Sequence, residues 1–200
     1  GLMIYDITDP THPLYQSSLT FGYSAQVVRA VGSILYIGRR TGSADGLIIV
    51  DAANPFAPEI LGTSDVPKVP FDFRIDGSLL YVADATEGLL IMDVGDPAQP
   101  RLVSRLRTAE NCQALALHDG YAYLADTGGT GGLHVIDVSD PAAPRLAGYY
   151  PAPLPCDLEI VNDHLLMATY NEQLEVVPPD CGYASVAVPD ATVGTTVSGT

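Results

Sequence analysis

The stretch Gly46-Leu47-Ile48-Ile49-Val50-Asp51-Ala52-Ala53-Asn54-Pro55 decides the fold, because the chain carries this pattern four times. The other copies begin at Gly1, Gly88 and Gly132, so the spacings between the leading glycines are 45, 42 and 44 residues. A decayed copy follows near residue 173. Self-similarity at a period of 20–50 residues is typical of solenoids and propellers. The chain is therefore predicted to be a stack of small repeated units.

A second repeated block precedes each copy and is clearest at Asp76-Gly77-Ser78-Leu79-Leu80-Tyr81-Val82-Ala83-Asp84. An Asx-Gly turn between apolar runs is a signal for a β-hairpin. This unit then reads as strands at 72–75, 79–83, 88–94 and 101–105. Four short strands in about 43 residues are typical of a propeller blade. The prediction is an all-β protein, a β-propeller of four-stranded antiparallel blades.

The strand count predicts about four and a half blades over residues 1–178. Residues 1–20 supply half a blade and residues 154–178 supply about three strands. Propellers close with roughly four to eight blades, so a partial ring and a small closed ring are both open. The start of the chain inside a blade favours a piece of a larger ring. The composition changes at residues 179–200, which are predicted to be a linker or the start of an Ig-like module.

The repeat resembles a known family. Residues 47–51, followed by Asn54-Pro55 and Pro58, are similar to the LVIVD repeat of secreted bacterial and archaeal β-propellers, and residues 81–84 fit the companion block of that repeat. The resemblance implies a propeller fold and an extracellular or cell-surface setting. It implies no general activity, so no catalytic residue is carried over.

The net charge and the motifs missing from the sequence narrow the classes of function to be considered. The formal net charge of −15 repels phosphate backbones, which argues against a nucleic-acid partner. No apolar run reaches the roughly 18 residues of a membrane-spanning helix. Metalloprotease, P-loop and nucleophile-elbow motifs do not occur in the sequence. These observations favour a non-enzymatic scaffold that binds proteins or self-assembles, with no cofactor. A hydrolase or lyase with a site at the channel mouth and a calcium-stabilised adhesion module are the alternatives.

The repeated aspartates invite two interpretations. One closes the third strand of each unit, and in chain order these are Asp6, Asp51, Asp93 and Asp137. They could form a ring of metal ligands, but Asx side chains more commonly accept backbone N–H bonds in the turn that follows. The turn role is therefore predicted. Asp84 and Asp126 open glycine-containing loops in which calcium is conceivable, although neither loop has the spacing of an EF-hand.

The best candidate for a site is a polar column on the innermost strands. Aligning those strands places one polar residue from each blade in register, namely Gln26, Asp72, Gln113 and Asp157. These side chains are predicted to face channel water or a ligand, and Asp72 and Asp157 would carry the enzymatic alternative. Cys112 and Cys156 fall in the adjacent column, and Cys181 lies in the tail. Small buried thiols are the favoured interpretation of the first two, and a disulfide is the alternative.

Overall fold

The computed structural model describes residues 1–22, 24–39, 46–108, 111–129, 131–152 and 154–170, and the backbone of 174–177 and 195–197. Every regular element in these ranges is a β-strand, and within them no helix is long and apolar enough to cross a membrane. The strands form one two-stranded sheet and four four-stranded sheets, all antiparallel. We call the first the half-blade and the others blades 1 to 4.

The half-blade consists of β1 (Leu2–Asp6) and β2 (Leu14–Leu19). The strands of blade 1 are β3 (Ala25–Val31), β4 (Ile34–Arg39), β5 (Gly46–Asp51) and β6 (Glu59–Ser64). The strands of blade 2 are β7 (Pro70–Asp76), β8 (Leu79–Asp84), β9 (Gly88–Asp93) and β10 (Arg101–Leu106). Each strand pairs with the next along the chain.

Blades 3 and 4 repeat this meander. Blade 3 has β11 (Cys112–His118), β12 (Tyr121–Asp126), β13 (Gly132–Asp137) and β14 (Arg145–Tyr150). Blade 4 has β15 (Pro155–Val161), β16 (His164–Thr169), β17 (Leu174–Val177) and β18 (Thr195–Val197). The four-stranded propeller blades and the half-blade are confirmed. Because β18 pairs with β17 while most of 179–200 lies outside the described residues, the linker or Ig-like module stays a prediction.

Steric crowding explains why a glycine opens the repeat in blades 1 and 2. Gly46 has a φ of 140° and Gly88 a φ of 82°, values that L side chains rarely adopt. A Cβ atom would lie 2.0 Å from the carbonyl oxygen of Ser64 at Gly46, and 2.6 Å from that of Leu106 at Gly88. In blades 1 and 2 the third strand therefore begins where the backbone of the fourth strand passes too closely for any side chain.

Each blade is buried on both faces by its neighbours. Leu47 and Ile49 of blade 1 pack with Phe73 and Leu90 of blade 2, while Ile48 and Val50 pack with the half-blade. Successive residues of a strand point to opposite faces, so every residue of the third strand enters one interblade core or the other. This explains third strands that are apolar throughout, which is the sequence signature of sheets covered on both sides.

The repeated aspartates cap the turn that follows each third strand. Asp51 Oδ1 accepts the N–H of Ala53 at 2.8 Å, and Asn54 Oδ1 accepts the N–H of Phe56 at 3.1 Å. Asp6, Asp93 and Asp137 make the equivalent bond to the residue two positions on. Hydrogen bonding from Ser139 lowers the pKa of Asp137. Two consecutive Asx turns thus lead into the proline at each corner.

Candidate functional site

The inner strands place the predicted polar column at two different positions. A β-bulge interrupts the start of each one, between Ala25 and Val27 in β3 and at the corresponding point in β7, β11 and β15. Gln26 and Gln113 are the bulged residues, whereas Asp72 and Asp157 come directly after a bulge. In register, Asp72 and Asp157 correspond to Val27 and Ala114. The gapless alignment of these strands is therefore corrected by one residue in blades 1 and 3.

The four side chains of that column have separate partners. Gln26 and Asp157 are exposed, and Asp157 Oδ1 accepts the N–H of its neighbour Leu158 at 2.9 Å. Gln113 Nε2 donates to Thr127 Oγ1 at 3.1 Å, and Gln113 Oε1 accepts the hydroxyl of Tyr170 at 2.9 Å, which bridges blades 3 and 4. Within the described residues no hydrogen bond or ion pair joins any two of the four. A ligand role for them stays a prediction.

Asp72 is the centre of an ion-pair network. It is 4% exposed, and its carboxylate contacts Arg29 Nη2 at 2.6 Å and Arg74 Nη1 at 2.7 Å. The backbone N–H of Phe73 and that of Leu115 donate to it at 2.8 and 3.1 Å. Four donors from blades 1, 2 and 3 therefore hold one buried anion, as a buried charge requires. This geometry fixes the inner strands of adjacent blades and leaves Asp72 poorly placed to accept a substrate proton.

Neither arginine of this network was predicted from the sequence as a site residue. Arg29 in β3 and Arg74 in β7 occupy equivalent positions, because Arg29 lies two residues after Val27 and Arg74 lies two residues after Asp72. The signal was present, since the chain has only nine Lys and Arg residues against 24 acidic ones. A scarce cation inside an apolar strand indicates a buried anionic partner.

The buried aspartates of the second strands serve their own loops. Asp84 Oδ2 accepts the N–H groups of Lys68 and Val69, and its Oδ1 accepts the N–H and hydroxyl of Thr86 and the N–H of Glu87, all within 3.0 Å. Asp126 Oδ1 accepts the N–H of Gly128 at 2.7 Å. Within the described ranges, no three His, Cys, Asp or Glu side chains form a group that could hold a metal ion.

Cys112 and Cys156 are both free thiols. Cys112 is fully buried, and this burial raises the pKa of its thiol to about 12. A thiol with such a pKa is a poor nucleophile at neutral pH. In register, Cys112 corresponds to Pro155 and not to Cys156, because Cys156 is the bulged residue of β15. Cys181 lies outside the described residues.

A cavity of about 610 Å³ lies where blades 2, 3 and 4 meet, at the end carrying the hairpins between first and second strands. Its walls include apolar side chains such as Leu79 and Val138 and polar ones from all three blades. The polar lining residues are Arg74, Asp76, Tyr81, His118, Asp119, Tyr121, Ser139 and Glu159. Ala116 also lines the cavity, at the inner-strand position filled by Arg29, Arg74 and Glu159 in the other blades. Of the residues at this position, Arg74, Ala116 and Glu159 line the cavity, and Ala116 has the smallest side chain.

The two ends of the stack differ from its interior. Met3 and Tyr5 of the half-blade are 65% and 47% exposed, although the residues at the Met3 position in blades 1 and 2 are at most 1% exposed. Tyr5 packs edge-on against Tyr15, with ring centroids 5.8 Å apart. At the other end, Leu166 and Ala168 are half-buried on the face of blade 4 that points away from blade 3. Each end thus presents an interblade face that is more exposed than the equivalent faces inside the stack.

Solved structures share this fold at low sequence identity. A candidate 6-phosphogluconolactonase from Bacteroides fragilis NCTC 9343 matches with a TM-score of 0.77 and 14% identity, over 98% of this chain and 64% of that one. A protein of unknown function from Desulfotomaculum acetoxidans DSM 771 matches with a TM-score of 0.74 and 10% identity, over 90% and 60%. The chain spans less than two thirds of the length of both. The computationally designed Ika4 protein matches with a TM-score of 0.64 and 11% identity, over 81% and 95%.

Family membership rests on the repeat itself. The model of the LVIVD repeat matches residues 1–20, 22–66, 72–108 and 110–151, which is more than half of the chain. No curated protein matches the sequence. The matched segments follow the structural units closely, because they cover the half-blade and blades 1 to 3 in turn. The chain belongs to the LVIVD repeat family.

Proposed function

We propose that this chain is a non-enzymatic scaffold that assembles through the uncovered face of its half-blade. The observation that carries the proposal is the exposure of Met3 and Tyr5 at positions that are sealed in blades 1 and 2. An apolar face of this kind on a β-sheet marks a surface that another protein covers. The extracellular or cell-surface setting belongs to the same proposal and is the one that the repeat resemblance implies.

The occupant that fits this face is the far end of a second copy of the chain. Within the stack, the face containing Ile48 and Val50 is always covered by the opposite face of the preceding sheet. Leu166 and Ala168 of blade 4 belong to that opposite type of face, at the positions of Tyr81 and Ala83 in blade 2. Head-to-tail contact between copies would therefore repeat the interblade packing. Such a heterologous contact either closes a ring or extends a filament.

The hydrogen bonds and ion pairs of the buried aspartates support a scaffold role rather than a catalytic one. Asp72, the carboxylate on which the enzymatic alternative depends, is neutralised by Arg29 and Arg74 and also accepts two backbone N–H groups. Catalytic carboxylates need a free lone pair or proton within reach of the substrate. Asp84 has both of its oxygens occupied by five donors, which weighs against the calcium-stabilised alternative.

Sedimentation velocity over protein concentrations from about 1 to 300 µM tests the assembly. We expect a concentration-dependent rise in mass for the wild type and a dissociation constant raised about tenfold or more in Tyr5→Lys, because a buried aromatic anchor is often worth 2 kcal/mol or more. The control is Phe56→Lys, since Phe56 is also an exposed aromatic residue, at 69%, but lies in a turn of blade 1. A wild type that stays monomeric throughout, or an equal loss in both variants, would contradict the proposal.

A further inference from the structure

The cavity between blades 2, 3 and 4 has a lining of mixed character that indicates what it holds. One wall is apolar, formed by Leu79, Val138 and Pro141. The carboxylates of Asp76 and Glu159 line the same space, and neither forms an ion pair with a described residue. Arg74 is the guanidinium of the cavity and shares the single carboxylate of Asp72 with Arg29, but the three lining carboxylates, Asp76, Asp119 and Glu159, outnumber it. The space therefore presents uncompensated negative charge beside an apolar surface.

Tyr81 adds a hydroxyl group to the lining of the cavity. Its side chain is nearly buried, at 4% exposed, and lines the cavity. Burial raises the pKa of its phenol, and the nearby charge of Asp76 raises it further, so the hydroxyl keeps its proton. Among the described residues, none forms a hydrogen bond with this hydroxyl. The oxygen is not one of the buried side-chain atoms that lack a partner, so it reaches the solvent of the cavity, where water or a ligand can bind it.

We infer that this cavity binds an arginine or lysine side chain of a partner polypeptide. The methylene stem of such a side chain packs on apolar surface while its charged head stays with polar groups. Asp76 and Glu159 would receive the head, because carboxylates bind guanidinium and ammonium groups through charge-assisted hydrogen bonds. The net charge of −15 would also attract a basic partner over a longer range. This site is separate from the half-blade face and does not depend on the proposed assembly.

Titration followed by two-dimensional NMR and calorimetry tests the inference with simple probes. N-acetyl-arginine methylamide and N-acetyl-lysine methylamide represent a peptide-borne side chain. N-acetyl-citrulline methylamide has nearly the same shape without the charge. We expect the two capped cationic probes to bind and shift the amide signals of Ala116 and Tyr121. The citrulline probe should not bind measurably.

Two variants locate the binding. Asp76→Asn and Glu159→Gln should each weaken binding of the arginine probe about two- to fivefold, the range expected for solvent-accessible ion pairs. Glu59→Gln is the matched control, since Glu59 is an exposed carboxylate on blade 1 and should leave the affinity unchanged. Ala116→Met should weaken binding by placing a longer side chain in the cavity, and its spectrum shows whether the variant is folded.

Each result of these titrations either supports or overturns the inference. Loss of affinity in the two cavity variants, without loss in Glu59→Gln, supports the inference. Equal binding of the citrulline and arginine probes overturns it, because the carboxylates would then have no role. An equal effect of all three carboxylate variants also overturns it, since the attraction would come from the net charge alone. Absence of binding by either cationic probe at millimolar concentration overturns it as well.

Discussion

The half-blade and blade 2 carry the same repeat, but equivalent residues of that repeat are exposed to different extents in the two sheets. Met3 of the half-blade is 65% exposed, whereas Leu90 at the same repeat position in blade 2 is 1% exposed. Both strands are apolar and both pair with the fourth strand of their unit. The difference lies in the preceding sheet, which covers Leu90 with residues such as Leu47 and Ile49. Burial in this fold is therefore decided by the neighbouring blade rather than by the residue type.

Alanine at these two positions gives the largest expected difference. Leu90→Ala should lower the free energy of unfolding by about 2–5 kcal/mol, because it leaves a cavity in a core that is closed on all sides. Met3→Ala should change it by less than about 0.5 kcal/mol, as exposed substitutions do. Since the chain has no tryptophan, urea unfolding should be followed by far-UV circular dichroism, at low protein concentration. Similar losses in the two variants would show that the half-blade face is covered even in the monomer.

The charged network of blade 2 gives the next largest effect. Asp72→Asn should lower the free energy of unfolding by about 2–3 kcal/mol, because Arg29 and Arg74 would lose their anion. The cost stays below the roughly 3–5 kcal/mol of a fully buried pair, since the two arginine side chains are 44% and 24% exposed. Asp157→Asn is the matched control at the same register position in blade 4.

That control should change the stability by less than about 0.5 kcal/mol, because the side chain of Asp157 is exposed. Urea unfolding of the two variants under one set of conditions makes the comparison. If Asp157→Asn were as costly as Asp72→Asn, the inner-strand position itself, and not the arginine contacts, would carry the stability.

The fold could be predicted from the sequence because the same strand pattern recurs in four copies of the repeat. The Gly-hydrophobic-Asp pattern and the hairpin block fix strand order, strand length and the antiparallel connections in each unit. The strands predicted at 79–83 and 101–105 differ from β8 and β10 by one residue at one end. The exposure of Met3 and Tyr5 was not predictable, since it depends on which sheet lies beside them.

The candidate sites were harder to predict for physical reasons. A β-bulge adds one residue to a strand without changing its hydrophobic pattern, so a gapless alignment put Gln26 in register with Asp72. The cavity is lined by one small side chain, Ala116, at a position where blades 2 and 4 carry long ones. Such a difference becomes meaningful only when the inner-strand register is known. Contacts between blades are non-local, and a single sequence does not report them.

The smallest effect concerns a polar residue that blade 3 places where its neighbours are apolar. His134 occupies the position of Leu90 and Ile48, and its Nδ1 atom is buried without a hydrogen-bond partner among the described residues. Burial lowers the pKa of His134 below its usual value of 6.5, and Asp126, whose Oδ2 lies 3.8 Å from Nε2, offsets this only in part. The folded protein thus favours the neutral ring.

Replacing this histidine tests whether the blades are interchangeable at that position. With its pKa lowered by folding, neutral His134 contributes its full stability above about pH 6.5, and this contribution is lost as the pH falls through the lower pKa of the folded state. His134→Leu should therefore raise the free energy of unfolding by about 1 kcal/mol at pH 8, by removing an unsatisfied buried nitrogen, and by more at pH 5. The gain is limited by loss of the ring contact with Tyr149, whose centroid is 5.2 Å away. Urea unfolding at both pH values measures this, with His164→Leu as an exposed control, and a loss of stability at pH 5 would show that the ring is held protonated by Asp126.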